Sequence, residues 1–304
     1  MARESSPSAA LAGQLRRRRR RIPFWLEPYH TLVTKKHLST FGMVVLLLML
    51  LAAAFADVVS PYSPVAMDLT IKLDPPSVDH IFGTDQFGRD MLSRMIYGAR
   101  TSLYVGFGVV IISTLLGVSM GILSGYLGGK FDLIYQRFVD AIQAIPSLVL
   151  LLTIVSVIGP GLVNIILALS FRQSIGESRV VRGAVIGIRG SQYMEAAKVI
   201  GAGLPRILLR YVLPNVMAPI TILASLALGG AILSEATLSF LGFGVPPPLP
   251  TWGAMLSDEA RRYMIQAPWM AIVPGLALSI VIYSINMFGD GLRDVLDPRL
   301  RGSK

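Results

Sequence analysis

The sequence predicts an all-α integral membrane protein with six transmembrane helices and both termini cytoplasmic. Three observations carry that expectation. The 304 residues are 53% hydrophobic and only 15% charged, with a mean hydropathy of +0.61, whereas soluble domains carry about 25% charged residues. The apolar residues gather into runs of the length needed to cross a ~30 Å hydrocarbon core as a helix, about 20 residues. The 28 Lys and Arg residues fall unevenly between those runs, as the positive-inside rule requires. The chain contains no cysteine, which excludes disulfides, thiolate metal sites and cysteine nucleophiles.

The elements follow in order. Residues 1–38 form a basic arm with the unbroken run Arg16 to Arg21, suited to setting topology on the cytoplasmic face and to anionic lipid head groups. A first helix over 39–59 has no charge between Phe41 and Ala56 and ends at Asp57 and Ser60-Pro61-Tyr62-Ser63-Pro64. Residues 60–100 are polar and carry no positive bias, so they are assigned to the outside. A second span over 102–127 is rich in Gly and Ser, which lets helix backbones approach closely. Residues 128–140 read as a short inner connection. A third span over 141–158 has Pro146 near its start, and Gly159-Pro160-Gly161 turns the chain outside.

The fourth span, from about residue 162, is unusual because Arg172, Gln173, Glu177, Arg179 and Arg182 interrupt it. Ionisable groups at membrane depth are costly and face a water-filled cavity or one another. Arg172, Gln173 and Glu177 are therefore candidates for lining a translocation path, with a buried ion pair as the structural alternative. An inner segment of about 183–213 holds Glu195-Ala196-Ala197-Lys198-Val199-Ile200-Gly201, good helix formers followed by a glycine stop. A fifth span over 215–234 and a sixth over 268–288 flank an outer loop at 251–267, and residues 289–304 form a charged tail. The core of five helices thus covers 101–288. By this assignment the inner segments hold nine, two, seven and four basic residues in order, against four and two in the outer loops. That distribution also accounts for the net charge of +10 without any nucleic acid partner.

Catalytic chemistry is not evident. His30, His37 and His80 all lie outside the expected spans, so a membrane-embedded hydrolase lacks its base or its zinc ligands. Gly129-Lys130 has Ser124 where a phosphate loop needs its first glycine and Phe131 where it needs Ser or Thr, so no nucleotide site is expected. No metal or other cofactor is expected in the chain.

Glu195-Ala196-Ala197, three residues, Gly201, nine residues, Tyr211, one residue and Leu213-Pro214 resembles the E-A-A loop of binding-protein-dependent ABC importer permeases, with Tyr where Ile is usual. Three further stretches resemble the second permease of dipeptide, oligopeptide and nickel importers, the DppC/OppC group. They are Phe82-Gly83-Thr84-Asp85-Gln86-Phe87-Gly88-Arg89-Asp90 with Ser93-Arg94, Leu238-Ser239-Phe240-Leu241-Gly242 with Trp252-Gly253, and Gly289-Asp290-Gly291-Leu292-Arg293-Asp294 with Asp297-Pro298.

The resemblance implies a type I ABC importer permease fold in the cell membrane. It implies a second permease subunit, two ATP-binding subunits that hold ATP and magnesium, and an external substrate-binding protein. It implies that Glu195, Ala196, Ala197 and Gly201 belong to a helix docking in a groove of the ATPase. Asp85, Arg89, Asp90 and Arg94 are candidate contacts to the binding protein, or a cap over the outer mouth. Relatives commonly carry apolar, aromatic or proline residues where Phe171 to Glu177 stand here, which leaves peptides, nickel complexes, opines and sugars open as substrates. The alternative is a secondary transporter or a membrane enzyme working without ATPase partners.

Overall fold

The structure is a computed structural model that describes residues 37–296. The arginine run Arg16 to Arg21 and the chain beyond residue 296 lie outside the described residues. Among the described residues there is no strand, only one isolated bridge between Thr84 and Asp90. The principal helices are α1 (His37–Ala54), α2 (Met91–Leu127), α3 (Gly129–Gln143), α4 (Ser147–Ile158), α5 (Leu162–Arg189), α6 (Gln192–Val199), α7 (Met217–Phe240) and α8 (Trp269–Leu296).

Four helical stretches are long and apolar enough to cross a bilayer: His37–Ala54, Met91–Leu127, Leu204–Phe240 and Trp269–Val295. The α3–α4 pair reaches that composition only jointly and is bent by 91°. The third span expected over 141–158 is therefore not one continuous helix but part of a bent pair. Pro146 has no amide hydrogen to continue a helix, and α4 alone, with 12 residues, extends only ~18 Å. The inner connection expected at 128–140 is itself the helix α3. Its Phe131, Leu133, Ile134 and Phe138 are exposed, while Asp132 and Asp140 reach α5.

The second span also begins earlier than residue 102. Asp90 accepts hydrogen bonds from the Ser93 amide and hydroxyl, both at 2.7 Å, and this N-cap starts α2 at Met91. With 37 residues, α2 extends ~55 Å and projects well beyond a ~30 Å hydrocarbon layer. Arg100, expected in the outer loop, lies on it and closes the end of α1. Its guanidinium donates to the Ala53 carbonyl at 2.7 Å and the Asp57 carboxylate at 2.9 Å. Hydrogen bonds from Arg100 and Tyr97 hold the Asp57 carboxyl below the usual carboxylate range. The fifth span runs past residue 234 to Phe240, entered through a π-helical turn at Ile207–Val212 and a tighter turn at Leu213–Val216 around Pro214. The sixth continues past residue 288 to Leu296.

The closest packing is between α2 and α5. A Cβ at Gly117 would lie 2.8 Å from the Glu177 Cβ, one at Gly121 2.6 Å from the Ser178 carbonyl oxygen, and one at Gly125 2.8 Å from the Val185 Cβ. Repeating every fourth residue, these glycines lie on one face of α2 and let the backbones meet with nothing between them. Buried apolar clusters extend from this seam. One joins Val105 and Val109 to Leu151, Val155 and Ile165. Another joins Ile122, Val181 and Val185 to Met194, Ile207 and Val212. A third packs α1 and α8 against the outer half of α2.

The seam makes a direct prediction. Gly121→Val should lower the midpoint of thermal unfolding in detergent, at an overpacking cost of about 1–3 kcal/mol. Gly183→Ala, on α5 with open space around it, should leave the midpoint unchanged or raised.

Candidate functional site

The residues singled out by sequence lie in three separate places. Arg172, Gln173 and Glu177 all line one cavity of about 620 Å³ between the α3–α4 bend, α5 and α7. Its other walls are mostly apolar and include Ile145, Pro146, Ile175 and Leu226. The bend that breaks the expected third span thus supplies one side of the cavity. Glu177 is 7% exposed. Its Oε1 accepts from the Ser113 hydroxyl at 3.1 Å and the Gln173 amide at 3.0 Å, and the glycine at 117 makes room for the side chain. The alternative of a buried Arg172–Glu177 ion pair is not what forms. Ser113 and Gln173 hold the carboxylate, and Arg172 makes no ion pair among the described residues.

Arg179 and Arg182 are anchored elsewhere. Arg179 reaches Asp140 at 2.5 Å. Arg182 grips both oxygens of Asp132 at 2.6 Å, a bidentate pairing stronger than a neutral hydrogen bond. Asp132 also accepts from Ser124 at 2.5 Å. These contacts pin α3 to the inner halves of α2 and α5 and hold the 91° bend at the cavity edge.

Asp85, Arg89, Asp90 and Arg94 form the interior of the outer loop, with 2%, 8%, 3% and 8% exposure. Asp85 Oδ2 lies 2.7 Å from Arg89 Nε and 3.4 Å from Arg94 Nε, while its Oδ1 accepts from the Phe87 and Arg89 amides. Asp90 caps α2 and meets His80 Nδ1 at 2.9 Å. The two acids are thus turned inward onto the loop's own frame, whereas Arg89 and Arg94 also border a second cavity, of about 560 Å³, beside Ser239 and the proline run at 246–248. Two tryptophans fasten the loop and the start of α2. Trp269 Nε1 donates to the Thr84 carbonyl at 3.0 Å and Trp252 Nε1 to the Met95 carbonyl at 3.0 Å.

At the other end of the α2–α5 pair, α6 buries Met194 (0% exposed) and Ala197 (2%), and Met194 enters the cluster containing Val181, Val185 and Ile207. Glu195 and Ala196 point outward, and Val199 and Ile200 are 86% and 74% exposed. Ala197 therefore packs on the chain's own core, whereas sequence reasoning turned it toward a partner. The helix ends because Gly201 adopts φ +73. Its amide donates to the Lys198 carbonyl at 2.9 Å and the Ala202 amide to the Ala197 carbonyl at 3.1 Å, the paired closure of a left-handed glycine stop.

One buried acid was missed. Glu235, expected only to end the fifth span, is 0% exposed within α7. It accepts from the Ser239 hydroxyl at 2.6 Å, and Ser239 accepts in turn from Thr251 at 3.3 Å. Thr251 also caps the short helix Trp252–Met255, so this chain of hydroxyls clamps the start of the 251–267 segment onto α7. The available signal was the four-residue spacing of Glu235 and Ser239 in an otherwise apolar run, which places both on one helix face.

Helices long and apolar enough to cross a bilayer, set around a cavity with polar groups on its wall, define the class as a multi-pass membrane protein. Comparison with known proteins narrows the class. Residues 117–302 match the family described as binding-protein-dependent transport system inner membrane component, and residues 34–76 match the N-terminal transmembrane domain of oligopeptide transport permease C. A putative peptide transport system permease protein of Brucella suis is 40% identical over 260 residues, covering 86% of this chain and 87% of the relative. The dipeptide transport system permease protein DppC of Alkalihalophilus pseudofirmus is 39% identical over 277 residues, covering 91% and 90%. The oligopeptide transport system permease protein OppC of Bacillus subtilis is 36% identical over 296 residues, covering 97% and 96%. A chain of the MetNI methionine ABC transporter in an inward-facing conformation shares the fold, with a TM-score of 0.56 and 18% identity, over 68% of this chain and 98% of that one. The chain belongs to the family of binding-protein-dependent transport system inner membrane components. It is a permease subunit of an ABC transporter, not an enzyme.

The outer loop gives this site its own test. Asp85→Ala would leave Arg89 and Arg94 without their shared counter-ion, and removing one partner of a buried ion pair costs about 3–5 kcal/mol. Residues 60–90 should become cleavable by protease added from outside, whereas exchange of the exposed Asp79 to Ala should leave the loop resistant.

Proposed function

We propose that this chain is one of two permease subunits of an ATP-driven peptide importer in the cell membrane, and that it forms half of the translocation path. Its partners are a second permease subunit, two ATP-binding subunits that carry ATP and magnesium, and an external substrate-binding protein. Six crossings with both termini cytoplasmic fit the chain if α5 crosses along with the four apolar stretches and the bent α3–α4 pair. The 28 residues of α5 extend ~42 Å, ample for a crossing. Its charges are accommodated by the cavity and by Asp132 and Asp140 rather than by lipid. In this reading Arg172, Gln173 and Glu177 belong to the conducting path, and Arg89 and Arg94 stand beside the outer cavity where the binding protein delivers its cargo. The peptide-transport names of the relatives favour peptides over the other solutes carried by such permeases.

The observation that carries the proposal is the construction of α6. Met194 fastens the helix into the cluster of Ile122, Val181, Val185 and Ile207 and Ala197 is buried as well, while Glu195, Ala196, Val199 and Ile200 are left outward. Exposed Val and Ile beside a small Ala make a surface for a protein groove. Glu195 and Lys198, paired at 2.8 Å, add charges at its rim. Because Met194 shares a buried cluster with Ile122 of α2, Val181 and Val185 of α5 and Ile207, a displacement of α6 by a closing ATPase pair is passed through that cluster to α2 and α5 and to the cavity that α5 lines.

The test is Gly201→Val in the assembled importer. No neighbouring atom obstructs a side chain there, so the effect comes from the backbone, where left-handed φ costs about 1–2 kcal/mol for a side-chain-bearing residue. Uptake and substrate-stimulated ATP hydrolysis should fall by about tenfold for that cost, with membrane insertion intact. Normal uptake in the absence of any ATPase subunit would sink the proposal.

A further inference from the structure

Two residues that line the 620 Å³ cavity are ionisable, Arg172 and Glu177, and they are not paired with each other. The Glu177 carboxylate is set against Gly117 of α2 and held by Ser113 and Gln173. Further along α5, Arg179 and Arg182 are occupied by Asp140 and Asp132. Arg172 is half-buried and has neither ion pair nor hydrogen bond among the described residues. It lies ten positions from the start of α5 at Leu162, or ~15 Å along the axis, which is mid-bilayer for the crossing of α5 proposed above.

A cation at that depth, on a wall otherwise built from residues such as Ile145, Pro146 and Leu226, is expensive unless an anion meets it. The guanidinium presents a planar fork of donors that matches a carboxylate bidentately, which a lysine ammonium does not. Half-burial matters as well. A fully desolvated pair would hold a solute too tightly for release, whereas a group still open to the cavity water binds and lets go.

We propose that Arg172 is a specificity-determining residue that receives the carboxylate of the passing solute, the C-terminal carboxylate in the case of a peptide. This inference rests on the cavity being part of the translocation path. Arg172 acts as the transient counter-ion of the solute at the midpoint of the crossing, and Gln173, beside it on the wall, is spent on orienting Glu177.

The test uses the complete importer, with both permeases, both ATPases and the binding protein, reconstituted in proteoliposomes. Two probes are compared, alanyl-alanine and its C-terminal amide. Delivery is the same in every arm, so each variant is compared with the wild type for each peptide separately. Arg172→Ala should reduce uptake of the free acid by about tenfold, the scale of one lost charge-assisted hydrogen bond, and leave uptake of the amide as in the wild type. Arg172→Lys should restore part of the acid uptake. Acid uptake within twofold of wild type in Arg172→Ala overturns the proposal. So does an equal loss for acid and amide, the result expected if a carboxylate of a neighbouring subunit holds Arg172. Failure of the wild type to take up either peptide with ATP would instead overturn the peptide-importer reading on which the inference rests.

Discussion

Everything in this structure that bears on transport depends on the contact between α2 and α5, where Gly117, Gly121 and Gly125 leave no side chain between two backbones. Lipid tails are as apolar as leucine, so helices in a membrane gain little by burying apolar surface on one another. Close van der Waals fit has to supply the association. A seam of glycines provides that fit, and its consequences extend in both directions. Midway along α5 it creates the recess in which Glu177 sits beside Ser113. At the inner end it brings Val181 and Val185 to Ile122, and Met194 of α6 plugs into that cluster.

The second organising constraint is the handling of charge. Asp132 and Asp140 neutralise Arg182 and Arg179, Asp85 serves Arg89 and Arg94, and Asp57 serves Arg100. Each pairing also does mechanical work: it holds the α3–α4 bend, folds the outer loop, or ties α1 to α2. Glu235 and Ser239 perform the same task with a shorter reach, joining α7 to the start of the 251–267 segment through Thr251. Against this background of internal pairing, Arg172 stands out because its charge is left to the cavity.

The sequence was legible where chemistry is local. Uninterrupted apolar runs located the crossings at α1, α7 and α8. The spacing of Glu195, Gly201 and Leu213-Pro214 located α6 and its stop, because a glycine after good helix formers is a backbone requirement visible in one dimension. The interruption of α5 by Arg172, Gln173 and Glu177 marked a polar wall for the same reason. Boundaries were less legible. The start of α2 at Met91 depends on Asp90 turning back to cap it, and Arg100 reads as a loop residue until its partners at the end of α1 are known. The bend at Pro146 was underestimated because a proline near a helix start is compatible with either a straight or a broken span.

By itself, then, the sequence determined a helical membrane protein with a short glycine-stopped helix in a basic segment and charged residues interrupting one apolar run, since these follow from composition, period and spacing, while the resemblance of its motifs pointed to the permease family. Tertiary structure alone decided which face each residue presents. Ala197 turned inward and Ala196 outward. The outer acids Asp85 and Asp90 proved to be internal struts. Glu177 was claimed by Ser113, 64 residues away in the chain, and Arg172 was not. Those outcomes depend on which helices lie side by side, and that is set by the fit of small residues across the α2–α5 seam, a relation between distant segments that no local pattern records.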